Sequence, residues 1–222
     1  ILGTLLTLWP TMLHTRIVDG AERKARWALP GLIAGIGVAI TGLLIGLAPV
    51  AVVGVVLYGA AAGLIVAPMI AEMRRKPPHS FAAWSTLSGV VWLGVALVVF
   101  AATITNPGGT VTVLALVGGV LQVLLGSLSY LVPVVMGGGP QAVRWRNARA
   151  DRGATTRLII TNVGLAVCVL PSPSTVRVAA SVLVLGALLT TAFTVAMTIR
   201  TPREPRSRRD VGVVTGLGAI ML

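Results

Sequence analysis

Charged residues are scarce in this chain, and acidic residues are the scarcest of them. Only 11% of the 222 residues are charged, and they comprise 18 basic but only 6 acidic side chains. A soluble globular domain carries about 25% charged residues. Because so few polar residues could not cover the surface of a soluble fold of this length, the composition excludes an ordinary soluble domain.

Cysteine and histidine are also rare, which limits metal and redox chemistry. The single cysteine, Cys168, can form neither an internal disulfide nor a thiolate cluster. The two histidines, His14 and His79, have no other ligand-type residue at metal-binding spacing, whereas haem and copper sites need donors that converge. We therefore expect no catalytic residue, no metal site and no cofactor within this chain.

Long apolar segments dominate the rest of the sequence. Hydrophobic residues make up 55% of the chain, and the mean hydropathy is +0.92. Most of the segments approach or exceed the roughly 20 residues that span the hydrocarbon core of a bilayer. The expected helices cover residues 1–14, 29–47, 50–71, 81–105, 110–136, 156–170 and 175–199, with an eighth starting near 211.

This pattern predicts an all-α fold, a polytopic transmembrane helix bundle. Residues 1–222 form a single domain with about six complete spans and a truncated helix at each end, so we expect the chain to be a fragment of a longer protein. The lipid bilayer is its expected partner. Nucleic acid is not, although the net charge is +12, because the basic residues lie only between the apolar segments.

The basic residues lie in alternate connections. Four long connections, residues 16–26, 74–76, 144–157 and 200–209, hold seventeen of the eighteen, and only Arg177 lies at a short connection. Cytoplasmic loops of membrane proteins collect Lys and Arg, so we expect the long connections to face the cytoplasm. Only two basic residues are lysine, which hints at GC-rich coding and thus at a bacterial inner membrane.

Small residues indicate where the helices pack. Glycines four residues apart lie on one face of a helix and let two helices approach closely in lipid. Three such pairs occur in the second and third predicted helices: Gly31 and Gly35, Gly42 and Gly46, and Gly59 and Gly63. We expect these two helices to form a closely packed pair.

The fifth predicted helix carries an unusual set of polar residues. The members of this possible intramembrane cluster are Gln122, Ser127, Ser129, Tyr130 and Pro133, with Asn162 from the sixth helix. Pro133 should kink the helix and free a carbonyl near Ser129. The cluster is either a set of interhelical hydrogen bonds, with Asn162 paired to Gln122 or Tyr130, or a binding site. No ionisable residue is expected in the middle of a span.

Four stretches resemble the membrane region of certain bacterial copper oxidases. These are residues 1–16 (ILGTLLTLWPTMLHTR), 81–85 (FAAWS), 125–140 (LGSLSYLVPVVMGGGP) and 147–153 (NARADRG). In those proteins a multi-helix membrane part precedes cupredoxin domains of the multicopper oxidase or nitrite reductase type. The resemblance implies a non-catalytic anchor here, with copper and its ligands in extracytoplasmic cupredoxin domains that follow on the same chain.

Two other functions stay open beside the anchor. The chain could form part of a small-molecule permease or exporter, with the fifth helix lining the path. It could also belong to a quinone- or haem-associated membrane subunit whose ligands lie on other helices. The sequence leaves the substrate, the reaction and the oligomeric state open.

Overall fold

The protein is an all-α membrane helix bundle, as the sequence predicts. The computed structural model describes residues 2–106, 108–137 and 139–200, and within these ranges it contains helices but no strand. The helices are α1 (Leu2–Met12), α2 (Ala21–Leu44), α3 (Ala48–Arg75), α4 (Phe81–Ala102), α5 (Gly109–Val135), α6 (Gly139–Ala150), α7 (Ala154–Val169) and α8 (Ser174–Arg200).

Five of these helices are long and apolar enough to cross a membrane: α2, α3, α4, α5 and α8. The 16-residue α7 is about 24 Å long at 1.5 Å per residue, which is less than the roughly 30 Å of a bilayer core. Five of the predicted complete spans are therefore long enough to cross the membrane, and α7, which the sequence also counts as a complete span, is shorter than a typical one. The predicted eighth span lies outside the described residues.

The outer surface of the bundle is strongly apolar. Ile33 of α2, Val98 of α4 and Leu189 of α8 are 64%, 70% and 69% exposed. A continuous apolar surface of this kind is rare on soluble monomers, whereas in a bilayer it faces the lipid tails. The structure thus supports association with a lipid bilayer.

Two basic connections are more helical than the sequence predicts. Helix α2 begins at Ala21, eight residues before the predicted start at residue 29, because Ala, Glu, Lys and Arg all favour helix. The connection expected at residues 144–157 overlaps the second part of α6 and the first turn of α7. In α6 the Arg149 guanidinium lies 5.7 Å from the centre of the Trp145 ring, and Arg146 donates from Nη1 to the Gly137 carbonyl at 2.7 Å.

Helices α2 and α3 form the closest pair, and glycines make the approach possible. A Cβ added at Gly31 would lie 2.9 Å from the Ala61 Cβ, and one at Gly35 would lie 2.6 Å from the Tyr58 nitrogen. Gly42 would meet the Ala51 backbone in the same way. Three of the six predicted packing glycines therefore lie in this interface.

The other three predicted packing glycines lie elsewhere. Gly46 follows the end of α2 with a positive φ of 71°, a backbone conformation that glycine adopts at low cost. Gly59 faces α4, where an added Cβ would lie 3.0 Å from a Leu97 methyl. Gly63 has open space around it. The four-residue spacing alone did not tell which face of each helix meets a neighbour.

Candidate functional site

The polar residues of α5 follow an irregular stretch of that helix. Residues Leu114–Leu121 form a π-helical segment, and α-helical geometry resumes at Gln122. Such segments occur often at functional sites. An added Cβ at Gly118 would lie 2.9 Å from the Trp92 Cβ of α4, so the paired glycines Gly118 and Gly119 let α4 approach the distorted turn.

Asn162 of α7 is the centre of a hydrogen-bonded group. Its Oδ1 accepts a hydrogen bond from Trp92 Nε1 at 2.7 Å and a weaker one from Gln122 Nε2 at 3.4 Å. Its Nδ2 donates to the Leu158 carbonyl at 2.8 Å and lies 3.5 Å from Ser88 Oγ. These contacts join α4, α5 and α7.

Gln122 is almost completely buried, with 1% of its surface exposed. Its backbone carbonyl accepts a hydrogen bond from Ser85 Oγ of α4 at 2.9 Å. Of the two partners considered for Asn162, the structure therefore brings Gln122 to it and not Tyr130. The Tyr130 hydroxyl lies 3.5 Å from the Thr11 carbonyl of α1.

The remaining predicted residues of α5 lie away from Asn162. Ser127 and Pro133 are buried, and Ser129 Oγ donates to the Gly126 carbonyl of its own helix at 2.8 Å. Pro133 lies two residues before the end of the helix at Val135, so a kink there would bend only the last turn. The main irregularity of α5 is instead the π-helical segment.

Arg157 is the residue that sequence reasoning missed. The sequence assigns it to a basic connection, yet it lies in the first turns of α7 and is only 8% exposed. Its Nη1 donates to Thr194 Oγ1 of α8 at 3.0 Å, and its Nη2 donates to the Ala150 carbonyl at 2.6 Å. The guanidinium carbon lies 5.1 Å from the centre of the Phe81 ring.

The face of α7 that buries Arg157 carries few apolar residues, so its periodicity was not evident from the sequence. The buried residues of α7 are Arg157, Thr161, Gly164 and Leu165, which is the spacing of one helix face. Arg157 therefore occupies the first position of the buried stripe. The predicted helix began at residue 156 and the predicted basic connection ended at residue 157. The two predictions thus overlapped at Arg157, and its burial was not recognised.

Two buried polar atoms in this region have no hydrogen-bond partner among the described residues. They are the acceptor Gln122 Oε1 and the donor Arg157 Nε. Both residues line a gap of about 10 Å³, together with the hydroxyl-bearing residues Ser85, Thr161 and Thr191. A gap of this size accommodates about one water molecule. A single water could therefore accept from the arginine and donate to the amide.

Asp151 connects this region to the start of α4. Its Oδ1 accepts a hydrogen bond from the Phe81 backbone N–H at 2.8 Å, so it satisfies one of the free donors at the start of that helix. Burial raises the pKa of the Asp151 carboxyl, while the bond from Phe81 and the charge of Arg157 act in the opposite direction. The carboxyl thus lies in a partly desolvated junction of α4, α6 and α7.

The histidines and the cysteine do not approach this region. His14 and His79 are exposed, and Cys168 Sγ lies 3.4 Å from Ser181 Oγ. Within residues 2–106, 108–137 and 139–200, no three His, Cys, Asp or Glu side chains converge as a metal site.

No protein-family model matches this chain, and neither a curated protein nor a solved structure is significantly similar to it. The candidate site thus has to be interpreted from its own geometry.

Proposed function

We propose that this chain is the membrane-anchoring region of a redox protein of the copper-oxidase type and has no catalytic site of its own. One observation supports an anchor more than a transport path. The polar residues at the centre of the bundle bond to neighbouring helices, and the gap left between Gln122 and Arg157 measures only about 10 Å³. A gap that holds about one water molecule does not admit a larger solute between these residues.

The redox part of the proposal comes from the sequence resemblance. Copper and its ligands would belong to cupredoxin domains that follow on the same chain, outside the cytoplasm. The bundle would hold those domains at the membrane surface. In this role the hydrogen bonds of Asn162, which join α4, α5 and α7, make the anchor rigid.

Translation of the reading frame on both sides of residues 1–222 tests the assignment directly. We expect cupredoxin sequence with a His-Cys-His-Met copper set downstream. A frame that contains only further apolar spans would contradict the copper assignment and leave transport as the better explanation.

A functional experiment separates the anchor from a transport path. The full-length protein is purified from membranes with Gln122→Leu, and its bound copper and oxidase turnover are measured below the unfolding temperature. An anchor role predicts a lower melting temperature but unchanged copper content and turnover per folded molecule. Val98→Leu, at an exposed position of α4, is the matched control that should change neither.

One observation favours a permease or exporter as the second candidate. The π-helical segment Leu114–Leu121 directly precedes Gln122, and π-helical turns often mark places where a helix bends or binds a ligand. If Gln122→Leu changed the uptake or efflux of a solute in vesicles without changing the melting temperature, the transport function would replace the anchor.

We further propose a bacterial inner membrane with the basic connections in the cytoplasm. With Cys168→Ser as background, single cysteines at the exposed positions Arg152 and Thr175 report the two sides. The proposed orientation requires the short α7 to cross the membrane. A membrane-impermeant maleimide should then label Thr175→Cys on intact spheroplasts and Arg152→Cys only after permeabilisation. The opposite labelling would invert the proposed orientation.

A further inference from the structure

A separate pocket lies between α1, the start of α2 and the second half of α3. Its volume is about 170 Å³, somewhat more than the 150 Å³ of an engineered cavity that admits benzene. Leu5, Trp9, Ile65 and Met69 supply apolar walls. Trp9 is 1% exposed and donates from Nε1 to the Met69 carbonyl at 3.1 Å, so the wall between α1 and α3 is held in place.

Glu72 places a carboxylate in this apolar pocket. It is 3% exposed, and its Oε1 accepts a hydrogen bond from the Val18 backbone N–H at 3.1 Å. Within the described part of the chain, no basic side chain lies at ion-pair distance from it. Burying a carboxylate without a positive partner is costly, so a cation in the pocket would stabilise this arrangement.

The charges around the pocket also favour a cation. Glu22 also lines it, and none of the lining residues is basic, although basic residues outnumber acidic ones by 18 to 6 in the chain. A small inorganic cation such as Ca²⁺ takes six to eight oxygen ligands, and the mostly apolar lining does not supply them. An organic cation with an apolar part matches both the carboxylate and the apolar walls of the pocket.

We propose that this pocket binds a primary ammonium group that carries an apolar tail. The ammonium lies against the Glu72 carboxylate, to which it donates a charge-assisted hydrogen bond, and the tail lies along Trp9 and Ile65. This ammonium could belong to the aminoethyl headgroup of a membrane lipid or to a soluble alkylamine. The proposal is independent of the copper-oxidase assignment.

The first test measures thermal unfolding of the full chain in neutral detergent with hexylammonium or with 1-hexanol. A ligand that binds only the folded protein raises the melting temperature. We expect hexylammonium to produce a saturable increase that hexanol does not. Glu72→Gln should weaken the apparent affinity about tenfold or more, because a hydrogen bond to a charged group is lost. Asp19→Asn, next to Val18 in the connection between α1 and α2 but outside the pocket, is the charge-matched control.

Glu72→Gln keeps an oxygen that can accept the Val18 N–H, so we expect it to fold, and its transition without ligand checks this. Ala25→Leu is a second variant, which fills the pocket while it keeps the carboxylate, and it should also abolish the hexylammonium effect. Equal effects of hexylammonium and hexanol, or an unchanged response of Glu72→Gln, would overturn the proposal.

Native mass spectrometry of the detergent-purified chain distinguishes the two sources of the ammonium. The chain is exposed to phosphatidylethanolamine and phosphatidylglycerol in equal amounts. Preferential retention of the ethanolamine lipid by the wild type and the Asp19→Asn variant, with loss in Glu72→Gln, identifies the lipid headgroup. Equal retention of both lipids, together with a hexylammonium response that depends on Glu72, identifies a soluble amine.

Discussion

The Arg157 guanidinium of α7 donates from Nη1 to the Thr194 hydroxyl of α8 at 3.0 Å. This bond joins two neighbouring helices through a side chain that is only 8% exposed. In lipid, a buried cation persists when protein groups replace its water, and here a hydroxyl, the Ala150 carbonyl and the Phe81 ring do so. Arg157 is therefore a structural cation of the bundle and not a residue of an exposed loop.

Replacing Arg157 tests this role. We expect Arg157→Ala to lower the free energy of unfolding by about 2–3 kcal/mol, since two hydrogen bonds to a charged group are lost. Equilibrium unfolding of the purified protein in detergent measures the change. Arg152→Ala removes an equal charge from an exposed position five residues earlier and should change the stability by less than about 0.5 kcal/mol. Equal effects of the two substitutions would contradict the burial of Arg157.

The hydrogen bond between Trp92 and Asn162 can be measured by a double-mutant cycle. Trp92→Phe and Asn162→Ala should show a coupling energy of about 0.5–1.5 kcal/mol, because the 2.7 Å bond joins two helices within the bundle. Tyr130→Phe and Asn162→Ala should be additive within about 0.5 kcal/mol, because Tyr130 lies instead near Thr11. Coupling in the second cycle but not in the first would reverse the assignment.

The close approach of α2 and α3 can be tested with two alanine substitutions. Gly35→Ala places a Cβ 2.6 Å from the Tyr58 nitrogen, so the helices must separate, and we expect a loss of about 1–3 kcal/mol. Gly63→Ala, where nothing lies within 4 Å, should be neutral or stabilising by up to about 1 kcal/mol. Thermal unfolding of the two variants compares them directly. A destabilised Gly63→Ala beside an unchanged Gly35→Ala would show that another face of α2 meets α3.

Asp151 should make the stability of the folded protein depend on pH. Burial raises the pKa of its carboxyl above the ordinary value of 3.8, so the folded state holds this proton more tightly than the unfolded state. The contribution of Asp151 to stability is therefore complete below pH 3.8 and is lost as the pH rises through the pKa of the folded state. Asp151→Asn keeps an acceptor oxygen for the Phe81 N–H but cannot titrate.

The measurement is the melting temperature of the wild type and of Asp151→Asn from pH 4 to pH 8. Relative to the variant, the wild type should be most stable at the acid end and should lose that advantage as the pH rises. A wild type that gains stability over the variant with rising pH would show that the Phe81 bond and the Arg157 charge outweigh burial.

The sequence alone predicted much of the fold because lipid imposes simple requirements. A chain in hydrocarbon must satisfy its backbone hydrogen bonds within helices, so long apolar runs and few charges were enough to indicate an all-α bundle. The runs also located α3, α4, α5 and α8 to within a few residues. The start of α2 and the helical content of the basic connections were harder to predict, because the residues there favour helix without being apolar.

The tertiary structure decided which polar side chains meet. The sequence showed Gln122 and Asn162 as polar residues within apolar segments. Only the helix orientations, however, place Asn162 beside Trp92 and Gln122 and leave Tyr130 near α1. The same orientations bury Arg157, which the sequence assigned to the connection at residues 144–157, and Glu72, which lies just beyond the predicted end of the third helix at residue 71. Burial depends on which face of a helix meets its neighbours, and that choice depends on close contacts such as those at Gly35 and Gly118, far apart in the chain.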